Sequence, residues 1–326
     1  MAVVSKGARG WAYGPATDVH THLIPAELAA PGAFAAGWPF DPAMLANMRE
    51  CVELDGILRG LDAIGADRAV ISPQVNLLAD NLPPGLAERS VELHLERFST
   101  HVSGASNRLR AFGTVAMQTP AIAVRQLELV MATPGFVGVE VAATIGGKFL
   151  GDGFDEFWEA AEALGSWVFV HPTMTALDLP ALAPIGLANS LGNPIETALS
   201  AATLVTSGAL ERFPNLRVLL AHGGGALLAL RGRLGRAQHV FTELERSLRD
   251  PISVSLRRLY FDSLVYDTDV LEDLITWVGD DHIFLASDYP FAMGLADPVS
   301  SVTETMIADD AKLRILSGNA ASFFDH

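Results

Sequence analysis

Five side chains of this 326-residue chain are of the types that hold a metal ion or move a proton, and each falls in or near the end of an apolar run. His20 and His22 flank Thr21 in Thr17–Leu23 (TDVHTHL), and His171 closes Trp167–Pro172 (WVFVHP). His222 comes near the end of Leu216–Gly224 (LRVLLAHGG), and Asp288 lies in Ile283–Pro290 (IFLASDYP). In an extended chain residues i and i+2 project to the same face, so the imidazoles of His20 and His22 enter one volume. They are there either as two separately hydrogen-bonded core histidines or as a chelating pair on a divalent metal. Taken singly, His171 reads as a polar strand cap, Asp288 as a loop N-cap and Asp18 as a strand-start residue. Together on one rim, the histidines and Asp288 are hard to explain without a shared centre. The glycines after His222 admit a close backbone or substrate, since no Cβ intrudes.

The elements that must position these groups are short apolar runs separated by helical segments. Besides the four above, the runs are Asp67–Gln74, Leu109–Ala116, Phe136–Ala142 and Leu259–Val265, which makes eight. Near-continuous Val, Ile, Leu and Phe is the pattern of strands buried on both faces. Eight such strands alternating with helices predict a (β/α)8 TIM barrel, an α/β fold. Between them, Glu53–Ile64 sets Leu54, Leu58 and Leu61 on one face, and Asp155–Leu164 opens with acids and is followed by Gly165. Pro25–Met48 and Thr173–Asn193 read as long insertions in the C-terminal-face loops, where barrels hold substrate. With no domain-sized linker or repeat, residues 1–326 read as one barrel domain.

Composition narrows the partners. Lys and Arg number 22 against 38 Asp and Glu, a net charge of −16, which argues against nucleic acid. Half the residues are hydrophobic and 18% charged, unlike a disordered chain. The apolar stretches fall short of a membrane span, and no leader-like apolar segment follows Lys6 and Arg9. The single Cys51 excludes an internal disulfide and a cysteine-rich zinc module, so a metal would need His and carboxylate ligands. A soluble cytoplasmic protein is the expectation.

The order of HxH, two further strand-end histidines and a late Asp resembles the amidohydrolase superfamily, and more narrowly its decarboxylase branch. The likeness is carried by DVHTH, FGTVAMQTP, VFVHP, ERFPNLRVLLAHGGGA, ASDYPF and LSGNAASFF, from about Asp18 to Phe324. The resemblance implies one divalent metal, zinc or else manganese, on His20, His22, His171 and Asp288 with a bound water. It implies His222 as general acid/base beside that water, with Asp288 counted in the catalytic machinery as well. Binuclear relatives carry a carbamylated Lys on strand 4, where this chain has Glu140. Arg233 matches an arginine that reaches a neighbouring subunit's site to bind a substrate carboxylate, implying a homodimer or higher homo-oligomer. Arg49 matches, loosely, a second carboxylate-binding arginine. A family Trp in the loop after strand 5 is absent, with Asn189 or Leu187 in its place. The activity so implied is non-oxidative decarboxylation of an aromatic or unsaturated carboxylic acid. The same residues would serve hydrolysis of a lactone or amide, or hydration of an unsaturated acid; a barrel that only binds ligand is the remaining alternative.

Overall fold

The computed structural model describes residues 14–28, 51–173 and 186–325. Eight parallel strands form one sheet: β1 (Thr17–Leu23), β2 (Arg68–Pro73), β3 (Leu109–Thr114), β4 (Phe136–Ala142), β7 (Trp167–His171), β8 (Arg217–Leu220), β9 (Tyr260–Asp262) and β10 (Ile283–Phe284). A two-stranded hairpin, β5 (Thr144–Ile145) with β6 (Lys148–Phe149), is inserted after β4. The sheet closes where β1 meets the segment after β10: Val19 N–H donates to Leu285 O, and Asp288 N–H to His20 O. The expected (β/α)8 barrel is the fold observed.

The helices between the strands follow the periodicity of the sequence. They include α1 (Leu54–Ile64), α2 (Pro84–Gly104), α3 (Pro120–Ala132), α4 (Asp155–Ala163), α5 (Asn193–Thr206), α6 (Leu227–Val240) and α7 (Thr268–Val278). On α1 the buried centre is Ile57, Leu61 and Ile64, flanked by half-buried Leu54 and Leu58. Gly65 ends α1 at φ 84°, a left-handed cap that glycine adopts without a Cβ penalty. On α4, Phe157 and Trp158 are fully buried, each contributing about 1.5–3 kcal/mol by leaving water. No described helix is long and apolar enough to cross a membrane.

Three expected strands are cut short, the seventh run, Leu259–Val265, to Tyr260–Asp262. The sixth run stops at Leu220, short of His222 at φ 56°; the eighth is assigned only to Phe284, although Leu285 O still accepts Val19 N–H, and Asp288 turns the chain at φ 60°. Positive φ cannot continue a ladder. The expected loop Thr173–Asn193 ends in structure: Ala188–Gly192 make a π-helical turn that runs into α5 at Asn193. Pro25–Met48 lies largely outside the described residues, and Arg49 does so entirely.

A buried histidine on α2 gives the fold an acid sensitivity. His94 is fully buried against Phe98, its Nδ1–H donating to Ser90 O, and burial lowers its pKa to about 4. The unfolded chain therefore binds more protons than the native one between about pH 6.5 and pH 4. That stability is present above pH 6.5 and is lost as pH falls towards 4, by ~3 kcal/mol. Urea unfolding across this window should show the loss in the wild type and a flatter profile in His94→Leu. Parallel profiles would contradict it.

Candidate active site

The site is built at the C-terminal end of the barrel, and a strand irregularity helps to build it. The β1–β2 register slips between Asp18 and Thr21, where three steps on β1 match two on β2. Such a bulge re-aims side chains. Val19 can thus join the interior cluster of Phe112, Phe169 and Phe284 while His20 and His22 both face the site, their rings 4.9 Å apart. Asp18 anchors this segment: its carboxylate accepts from His20 N–H, Thr21 Oγ1–H and both N–H and Oγ–H of Ser287. It binds β1 to the chain after β10, more than a strand-start residue does.

The second ring nitrogen of each histidine fixes its tautomer. His22 Nδ1 lies 2.8 Å from Pro73 O and His171 Nδ1 2.7 Å from Pro172 O, and carbonyls only accept. His20 Nδ1 lies 2.8 Å from Asp262 Oδ2, which also accepts the N–H of His222 at 2.9 Å. Nδ1 is therefore the protonated nitrogen in all three, and each Nε2 turns inward as the free one. His20 Nε2 and His22 Nε2 stand 3.0 Å apart, each 3.3 Å from Asp288 Oδ1. His171 Nε2 and Asp288 Oδ1 are buried with no hydrogen-bond partner among the described residues. Lone pairs facing one another so closely require positive charge between them. A proton answers one nitrogen; a divalent cation answers all three and the carboxylate. The donor set fits a metal.

Electrostatics agree. Burial opposes charge on His20, but Asp288 and Asp262 outweigh it and raise its pKa to about 10, a field that equally favours a cation. Burial pushes Asp288 up, yet His20, His22 and His222 hold its carboxyl well below the usual range. His171 is driven well down by burial and by the neighbouring imidazoles. Ligand atoms of His20, His171, His222 and Asp288 lie within 4.8 Å of one another, and so do those of His22, Glu140 and His171. Glu140, at the strand-4 position, is fully buried and pushed up by burial to about 7.

His222 stands beside this cluster, its Nε2 3.8 Å from Asp288 Oδ2 and its Nδ1 buried without a partner among the described residues. Its left-handed backbone is held by Asp262, which accepts the N–H groups of His222, Gly223 and Leu264. Non-glycine residues at positive φ cluster where function demands them. Asp262 was missed in the sequence, although an Asp within the seventh run, in YFDS, is the same residue type that marked Asp288 in the eighth. The turn is packed as tightly outside: a Cβ on Gly225, which has φ 61°, would lie 2.0 Å from Pro194 O at the start of α5. Gly225→Ala should displace that helix start, lowering the melting temperature and turnover together. An unchanged melting temperature would show that the contact is not binding.

Beside His222 and Asp288 opens a cavity of about 170 Å3, walled by Asn189, Asn193, Tyr266 and Met293. Of the two positions expected in place of the family Trp, Asn189 lines it and Leu187 does not. Tyr266, at φ 60° and donating to Met293 O, was not foreseen. Arg233 is exposed on α6 and does not line this cavity of its own chain.

An eight-stranded α/β barrel with an imidazole–carboxylate cluster at its C-terminal rim is the class that fold and site define. The chain belongs to the amidohydrolase family, whose profile matches residues 17–325. It is similar to the 2-amino-3-carboxymuconate-6-semialdehyde decarboxylase of Dictyostelium discoideum, 30% identical over 68% of this chain and 62% of that protein. The gamma-resorcylate decarboxylase of Polaromonas sp. is 27% identical over 83% of this chain and 86% of that one. In fold, the 5-carboxyvanillate decarboxylase of Sphingomonas paucimobilis superposes with a TM-score of 0.86 at 23% identity, over 95% of this chain and 98% of that one. Matches to the first two curated relatives span 62% and 46% of their lengths, less than two thirds.

Proposed function

We propose that this chain is a metal-dependent, non-oxidative decarboxylase of an aromatic or unsaturated carboxylic acid. The observation that carries the reading is the inward set of imidazole nitrogens beside His222, whose Nδ1 has no partner among the described residues, in a chain whose relatives are decarboxylases. His20, His22, His171 and Asp288 would hold one cation, with zinc suited to three nitrogens and an oxygen and manganese the alternative. When bound, the cation supplies positive charge that offsets the negative charge developing as carbon dioxide leaves.

The chain's own residues do the rest. Asp262 holds the His20 ring in the tautomer that presents Nε2, and fixes the His222 backbone. His222 delivers a proton to the carbon that loses carbon dioxide, a transfer for which its buried Nδ1 or the Nε2 near Asp288 is available. Arg49 and Arg233 would anchor the carboxylate, since guanidinium binds it bidentately. Residues 1–326 would act as one cytoplasmic barrel domain, in a homodimer or higher assembly, with Arg233 serving the partner's site.

Incubation with carboxyl-labelled aromatic and unsaturated acids tests the reaction. Label released as carbon dioxide supports decarboxylation; consumption of the acid with label retained would point to hydrolysis or hydration. The assembly has its own test, mixing inactive Arg233→Ala with inactive His222→Ala. Subunit exchange should restore part of the activity, because some mixed dimers join an intact His222 to an intact Arg233 from the neighbour. No recovery after confirmed exchange would end that proposal.

A further inference from the structure

We propose that Asn193 selects the substrate, its side-chain carbonyl accepting a hydrogen bond from a hydroxyl or amino group on the acid's carbon skeleton. The inference rests on the decarboxylase reading and adds what the carboxylate-binding residues leave undecided. Asn193 is only 8% exposed, and its Oδ1 has no hydrogen-bond partner among the described residues. A buried acceptor without a partner is costly, so natural proteins rarely keep one without use. This one lines the same cavity as His222 and Asp288.

The neighbouring polar groups of that wall are already engaged. Ser190 Oγ–H donates to Gly186 O at 3.1 Å, and Tyr266 O–H donates to Met293 O at 2.7 Å. Asn189 lines the same wall but is exposed, so Asn193 is the buried polar side chain left for a ligand on this side. Its backbone is also fixed more firmly than a loop residue's would be. The π-helical turn of Ala188–Gly192 delivers it to the first position of α5, and such turns concentrate at functional sites. Asn193 O accepts from Thr197 Oγ1, and the next residue's carbonyl, Pro194 O, accepts Ala226 N–H at 3.2 Å in the turn after His222. Asn193 and His222 therefore keep a set relation, which a specificity contact needs. The cavity of about 170 Å3 falls below the ~300–1,000 Å3 of sites that take drug-sized ligands, so it suits a single ring or a short chain.

Calorimetric binding to the metal-loaded protein tests this with the three monohydroxybenzoates against the three methylbenzoates, each pair matched in ring position. Wild type should bind at least one hydroxy acid about ten- to hundredfold more tightly than its methyl counterpart, as expected for a buried group that pairs only with the right ligand. Asn193→Leu and Asn193→Ala should both lose that preference while keeping metal content, melting temperature and methylbenzoate affinity. A preference that survives in either folded variant would overturn the assignment. So would weaker binding of all acids alike with a lowered melting temperature, the signature of a structural asparagine. Binding none of the six acids, or binding them without discrimination, would refute Asn193 as the selecting group; the decarboxylase reading is decided separately, by release of labelled carbon dioxide.

Discussion

His222→Asn is expected to leave a folded, metal-loaded protein whose turnover has fallen by about 10²- to 10⁴-fold, the usual contribution of a general acid or base. The structure separates this group's chemistry from its scaffolding role. What Asp262 holds is the His222 backbone N–H, whereas the imidazole Nδ1 has no partner among the described residues. Asparagine tolerates the left-handed region that φ 56° demands, so this variant keeps the turn better than alanine would. Melting temperature, metal content and turnover should be measured on one preparation. A lower melting temperature with turnover reduced only in proportion would mean that His222 is a structural residue.

The other large effect belongs to a residue that never touches the proposed cation. Asp262 is fully buried and accepts four N–H groups: His20 Nδ1 and the backbone of His222, Gly223 and Leu264. Asp262→Asn replaces one accepting oxygen by a donor that must face donors. Breaking a buried charged network in this way costs about 3–5 kcal/mol. It also frees the His20 ring to turn its proton inward, and loss of such an orienting carboxylate weakens metal binding by about 10–100-fold. Urea unfolding and a metal-binding titration should register both losses. Wild-type affinity in a destabilised variant would show that Asp262 supports the barrel but not the His20 tautomer.

Much of this arrangement was legible in the chain because it rests on local rules. Period-two geometry put His20 and His22 in one volume, and near-continuous apolar runs marked each barrel strand. The turns at His222 and Asp288 are not legible, since the partners that hold their positive φ, Asp262 and His20 O, are distant in sequence. The role of Asp18 was hidden for the same reason: its partner Ser287 lies 269 residues away. In the sequence Asn193 reads as the end of a loop, because a π-helical turn has no apolar periodicity to announce it. Asp262 ends β9 and Tyr266 follows it, where a short strand offers little pattern.

The most direct test of the site is elemental analysis of the purified protein, counting divalent metal per chain. Inward Nε2 atoms on His20, His22 and His171 with Asp288 are expected to hold close to one equivalent, removable by chelator with reversible loss of activity. Two equivalents would mean that Glu140, His22 and His171 form a second site, and full activity with no metal would contradict the reading altogether.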